Sequence, residues 1–176
     1  MRPIVIARRF LVPRPLISLY YFLRFRAAVS LHAEVELSPL ITLGPKTKIG
    51  SFVKIKASEG PIRIGARTDI GVGTNIGGYR EGVEIGDDCL ISPRVSIIGN
   101  RYRYDRIDQT FREQGKTSEG LLRIGNNVWI GAGAVILDGA DIGDGVIIAP
   151  LSVVSGKIPP NAMVQGNPGK VIFTRR

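Results

Sequence analysis

The side chains equipped for chemistry in this chain are few, and their scarcity narrows its function. Among 176 residues there is one histidine, His32, and one cysteine, Cys89. Histidine is the usual proton acceptor near neutral pH, because its free pKa of ~6.5 matches the task. One copy, placed early in the chain, leaves little scope for His-based catalysis. A zinc site needs three or four nitrogen, sulfur or carboxylate ligands in defined geometry, so no His- or Cys-based metal centre is expected. A single cysteine also excludes a disulfide framework within the chain, and a reducing cytoplasm is the expected compartment. No Gly-Lys-Ser/Thr sequence follows a glycine-rich strand exit, so a phosphate-cradling loop is not expected either.

The elements that must position any site announce themselves by a six-residue repeat. Aliphatic residues recur at Leu43, Ile49 and Ile55, at Ile64, Ile70 and Ile76, and at Ile85, Ile91 and Ile97. The series resumes at Ile124, Ile130, Ile136, Ile142, Ile148 and Val154. A small or β-branched residue follows four places later, as at Thr47, Val53, Thr68, Thr74, Cys89, Val95, Val128 and Ala134. Neither a 3.6-residue helix period nor plain alternation produces this pattern. Each hexad reads as a short strand and a bend with the aliphatic residue inward, and three hexads make one triangular coil. Cys89 falls in an inward small-residue slot, so a core role is expected for it.

Departures from the period mark insertions. Leu43 to Ile64 and Ile64 to Ile85 each exceed an 18-residue coil by three. Between Ile97 and Ile124 a loop of about 21 residues, spanning roughly 98–123, leaves the prism. Long loops on rigid repeat scaffolds commonly carry function. The expected organisation is a basic, partly apolar segment over 1–34, a parallel β-helix over 35–158 with its ejected loop, and a tail over 159–176.

The formal net charge is +9, and residues 1–33 contribute Arg2, Arg8, Arg9, Arg14, Arg24 and Arg26 with no acidic residue. The apolar run Leu16–Leu23 is far short of the ~20 residues a membrane-spanning helix needs. Two readings stay open for this segment: a helix lying on an anionic membrane surface, or a helix capping the open end of the core. Basic charge also attracts nucleic acid, but no nucleic-acid-binding motif accompanies it and no such partner is expected.

The stretch Ile124-Gly-Asn-Asn-Val-Trp-Ile-Gly-Ala-Gly-Ala-Val-Ile136, with Gly166-Asn-Pro-Gly-Lys-Val171, resembles the hexapeptide-repeat O-acetyltransferases. The maltose and galactoside acetyltransferases and those of surface-polysaccharide synthesis are the nearest in pattern, over roughly residues 35–174. The resemblance implies an all-β fold, a left-handed parallel β-helix, although general chain sterics favour right-handed crossovers. It implies a homotrimer with acetyl-CoA as co-substrate in the groove between prisms, and a sugar or glycan hydroxyl as acceptor. Trp129 matches a tryptophan beside the cofactor arm, and Gly131 and Ala132 match backbone near the pantetheine. Ser155 matches a Ser or Thr at the nucleotide end, and Lys170 matches a cation near the CoA phosphates. Pro150 stands where relatives carry a residue with a free N–H, and Gly156 where lysine is frequent.

In the resembled enzymes a histidine at the start of the loop deprotonates the acceptor. Here the loop begins Ile98-Gly-Asn-Arg-Tyr-Arg-Tyr-Asp105, and Tyr102 occupies that place. Tyr102, Asp105 and Glu113 are the substitute base candidates, while Phe111–Glu119 resembles the acceptor-side loop. The expectation is an acetyl-CoA-dependent O-acetyltransferase with an atypical base or weak activity. The alternative is a catalytically inactive trimer that binds a ligand or scaffolds a partner. A cytoplasmic location, peripheral to the inner face of the membrane, goes with the first.

Overall fold

A computed structural model describes residues 12–57 and 60–176. The repeat winds into a left-handed parallel β-helix of about six coils. Each coil contributes one short strand to each of three parallel sheets, the three faces of a triangular prism. The first face begins with Ala28–Val29, the second with Glu34–Val35 and the third with Ile41–Leu43. Coiling thus starts at Ala28, and its last parallel strand, Ala162–Gln165, closes the first face. Lys170–Thr174 then folds back antiparallel on that strand.

Register explains why the hexads hold together. On the first face Ile49 lies beside Ile70, Ile70 beside Ile91, Ile91 beside Ile130, and Ile130 beside Ile148. Equivalent columns run up the second face through Ile55, Ile76, Ile97 and Ile136, and up the third through Ile64, Ile85, Ile124 and Ile142. All these side chains are buried in one continuous core. Removing one isoleucine from water is worth roughly 1.5–3 kcal/mol, and the coils repeat that gain. Corners admit only small groups: Thr47, Thr68 and Thr74 are fully buried there. Thr68 donates to the Gly86 carbonyl at 2.9 Å and Thr74 to that of Ser92 at 3.2 Å. Cys89 sits in this series, fully buried, with burial pushing its thiol pKa up, so it is an inert core residue.

All the insertions leave from one edge, the corner between the second and third faces. Residues 57–61, 78–82 and 99–121 occupy it in successive coils, whereas 137–140 suffices in the fifth. The other two corners stay tight, so the prism has one ornamented edge and two plain ones.

Helix α1 (Arg14–Phe25) closes the open end of the core. Proline in its first turn suits the helix start, because the missing N–H has no helical partner there. Ile17 and Tyr21 point inward and join the core cluster. The Tyr21 hydroxyl donates to the Glu36 carbonyl in the first coil at 2.8 Å. Burial pushes that phenol far above its ordinary pKa, which keeps the donor proton in place. The capping alternative therefore describes α1's inner face. Residues 1–11, with Arg2, Arg8 and Arg9, lie outside the described residues.

Replacing Tyr21 with alanine removes a fully buried ring and its hydrogen bond. Tyr21→Ala should destabilise the protein by about 3 kcal/mol or more, read as a lower urea midpoint in equilibrium unfolding.

Candidate active site

The site is built on the fourth and fifth coils. Trp129 points outward from the first face, about half exposed, while its strand neighbour Ile130 points into the core. Its indole N–H donates to the Ser92 hydroxyl of the coil below at 3.2 Å, which fixes the ring against the sheet. An open cleft of about 610 Å³ runs along this face from Ala28 to Trp129, with Ile70, Gly71 and Leu90 in its wall.

Gly131 and Ala132 turn the next corner. The Gly131 N–H donates to the Ile148 carbonyl at 2.8 Å, so it is committed to the coil ladder. A Cβ at Gly131 would stand 2.5 Å from the Pro150 nitrogen, which explains glycine there by close approach of two backbones. The Ala132 carbonyl accepts from Leu151 at 3.0 Å. Ala132 itself is exposed at the corner, and among the described residues its N–H has no backbone partner. Ala132 is thus the better donor candidate of the pair.

Ser155 and Lys170 are both exposed, but they do not share a corner with Ala132. Ser155 follows the sixth second-face strand, Val153–Val154, and Lys170 opens the final antiparallel strand. His32 lies on the first coil, its ring 5.8 Å from that of Phe52, three coils from where the long loop departs.

That loop is an ordered structure with its own bonding. Arg101–Tyr102 pairs antiparallel with Lys116–Thr117, making a short hairpin stem. Helix α2 (Phe111–Gln114) crosses its tip, and the Gln114 side-chain amide donates to the carbonyls of Arg106 and Gln109 at 2.8 and 3.0 Å. The buried Tyr79 lies beneath, its hydroxyl directed to the Lys116 carbonyl at 3.4 Å.

The three base candidates differ in what the structure leaves them to do. Glu113 closes a capping box, its carboxylate accepting from the Thr110 N–H and hydroxyl at 2.9 Å each. Those bonds hold its carboxyl below the usual range, which favours a structural cap over a proton acceptor. Asp105 is exposed beside Arg106, whose guanidinium forks onto Asp108 instead. Tyr102 is half exposed on the stem, with the Lys116 ammonium 5.6 Å from its ring centre. Tyr102, Tyr104, Phe111 and Arg112 together line an open pocket of about 740 Å³.

Two features of the site are invisible in the residue spacing. The first is the clamp at the base of the loop, made by Arg101, Glu119 and Asp138. The Asp138 carboxylate is buried and accepts from the Glu119 N–H at 2.8 Å, with the Arg101 guanidinium at 3.7 Å. Arg101 also pairs directly with Glu119. Both ends of the loop are thereby tied to one residue of the next coil. Asp138-Gly139 reads in sequence as an ordinary turn. The second is the Tyr104–Phe111 wall of the pocket, for which only the loop's aromatic content gives a signal.

Within one prism the two halves of the candidate site are apart. The Trp129–Ala132 strip lies on the first face and first corner, whereas the loop leaves the next corner round, across the second face. Among the described residues no cluster of His, Cys, Asp and Glu is arranged to hold a metal.

Comparison with known proteins places these features in a family. A model of the bacterial transferase hexapeptide (six repeats) matches residues 122–156, and one of the hexapeptide repeat of succinyl-transferase matches 61–92. A Mycobacterium tuberculosis protein named "Probable acetyltransferase Rv3034c" is 32% identical over 187 residues, covering 98% of this chain and 61% of the relative. The galactoside O-acetyltransferase of Escherichia coli is 40% identical over 92 residues, covering 51% and 43%. This chain therefore spans less than two thirds of either relative's length. Among solved structures, a galactoside acetyltransferase in complex with coenzyme A superposes with a TM-score of 0.61 at 26% identity, over 97% of this chain and 76% of that one. AntD, an N-acyltransferase from Bacillus cereus in complex with dTDP and coenzyme A, gives a TM-score of 0.75 at 23% identity, over 88% and 86%, and shares the fold.

Asp138→Ala should free the loop without unwinding the coils. Limited proteolysis should then cut within 99–121 several-fold faster than in the parent, with a loss of about 1–3 kcal/mol in unfolding free energy.

Proposed function

The chain belongs to the hexapeptide-repeat transferases, and from that premise we propose that it moves an acetyl group from acetyl-CoA to a hydroxyl of a sugar or surface glycan, as a homotrimer. The observation that carries this reading is the split site. A cofactor strip and an acceptor loop sit at the same height of the prism but on different edges. A second prism packed alongside brings the loop of one copy to the strip of the next, and a three-fold ring satisfies all copies equally. The exposed Trp129, Leu90 and Val72 along the first face supply apolar surface for that packing.

In the reaction the acceptor hydroxyl attacks the thioester carbonyl. A C–O bond forms, the C–S bond breaks, CoA leaves as its thiol, and the hydroxyl proton passes to a base. Trp129 and the Ala132 N–H would align the pantetheine arm. Ser155 and Lys170 would serve the nucleotide end, where a cation suits a polyanion. Tyr104, Phe111 and Arg112 offer a sugar ring two aromatic faces and a guanidinium. Asp105 and Tyr102 remain as base candidates. The segment around α1 would hold the enzyme at the inner membrane face, where lipid-linked glycan precursors are accessible.

A second reading has its own observation. The loop carries no histidine, and Asp108, Glu113 and Glu119 are each tied to a partner within it. A trimer that binds CoA or a glycan without turnover would look the same.

Calorimetric titration should give micromolar acetyl-CoA affinity, weakened roughly tenfold in Trp129→Ala. Absence of binding into the low millimolar range would remove both the enzyme and the CoA-binding reading. With an acceptor found from a sugar panel, the pH profile identifies the base. A carboxylate gives a rate already flat above pH ~6, while a phenol gives one still rising toward its free pKa of ~10. Tyr102→Phe should then lower kcat by about 10²-fold or more in the second case only.

A further inference from the structure

Helix α1 has a second face that the core does not use. Ile17 and Tyr21 point into the prism, while Leu16, Leu19, Phe22 and Leu23 are 51–71% exposed on the opposite side. Four large apolar side chains on the outer arc of one helix are more than a monomer's surface ordinarily leaves to water. The helix buries one stripe against its own core and offers the other to something else.

The charge around this face has one sign. Arg14 and Arg24 lie on the helix and Arg26 ends it, all exposed, with no acidic residue before Glu34. Beside Phe22 a depression of about 480 Å³ is lined by Arg26, Lys46 and Lys48, with Arg67 and Asp69 at its far side. Lys48 pairs with Asp69 and Arg67 with Asp88, but among the described residues no ion pair holds Arg26 or Lys46. Those two residues are held close by the hydrogen bond from the Lys46 N–H to the Arg26 carbonyl at 3.0 Å. An apolar ridge and an adjoining pair of uncommitted cations match the two layers of an anionic bilayer surface. Hydrocarbon receives the leucines, and phosphate receives the cations.

We propose that the capped end of the prism is a membrane-docking surface for anionic phospholipid. Leu16, Leu19, Phe22 and Leu23 enter the acyl boundary, and a headgroup phosphate sits between Arg26 and Lys46. No helix among the described residues is long and apolar enough to cross a membrane, so the contact is at the interface. In a trimer with parallel prism axes three such ends face the same way, and avidity multiplies a weak single contact. The inference deepens the membrane placement proposed above and uses none of the residues assigned to acyl transfer.

The test is flotation of the full-length chain with vesicles of phosphatidylcholine alone and of phosphatidylcholine mixed with phosphatidylglycerol. Binding should require the anionic lipid and weaken as salt is raised. The double variant Leu19→Ser, Leu23→Ser should lose roughly tenfold or more in partitioning. Arg26→Gln with Lys46→Gln should lose about five-fold per charge. All variants should keep the parent's unfolding midpoint and acetyl-CoA affinity, which separates a failure of docking from a failure of the acyltransfer reading. Equal binding to both vesicle types, or parent-like binding by both double variants, overturns the proposal. So does a change in oligomeric state of the leucine variant in sedimentation velocity, which would assign the face to a second copy of the chain.

Discussion

A narrow triangular interior, filled by one aliphatic side chain per strand, is the constraint from which the other features follow. Each inward isoleucine stacks on its counterpart one coil away, and the backbone bonds between coils hold that alignment. A one-residue slip would turn an entire column toward water. Corners are consequently limited to small residues, as the buried Thr68, Cys89 and Ala134 illustrate. A prism so constrained cannot make a pocket inside itself, and chemistry has to be placed on its faces and edges.

The edge between the second and third faces is where the fold tolerates extra chain, and the insertions collect there. Short extensions in the second and third coils prepare the ground for the long loop of the fourth, with Tyr79 as its floor. The clamp of Arg101 and Glu119 on Asp138 then ties the loop to the rigid coil above. Burying a carboxylate costs free energy unless it is paired and hydrogen-bonded, and Asp138 has both kinds of partner. The loop is held this firmly although its exposed aromatic residues contribute little to the core.

The absence of a histidine in that loop reorganises the question of proton transfer. Of the carboxylates present, Glu113 is spent on a helix cap, and its lowered pKa further reduces its basicity. Asp105 stays exposed. Tyr102 shares its pocket with Tyr104, Phe111 and Arg112, so it stands where an acceptor would lie. The division of the site between two edges gives the loop a partner only in a neighbouring prism.

The hexad period by itself determined the coil, the inward residues, the core role of Cys89 and the position of the long loop. It did so because six-residue spacing with small residues at the bends has one packed solution, and each coil touches only its neighbours. The match at Trp129 and Gly131 was legible for the same reason, as both fall on numbered positions of the repeat. The loop was legible only as an interruption. Its hairpin, the capping of Glu113 and the Asp138 clamp join residues with no fixed spacing, and Arg101 meets Asp138 only because the coil returns to the same edge. Sequence also left α1 between two roles. The tertiary structure gave its inner stripe to the core, because the last coil of a solenoid exposes its aliphatic column unless something covers it.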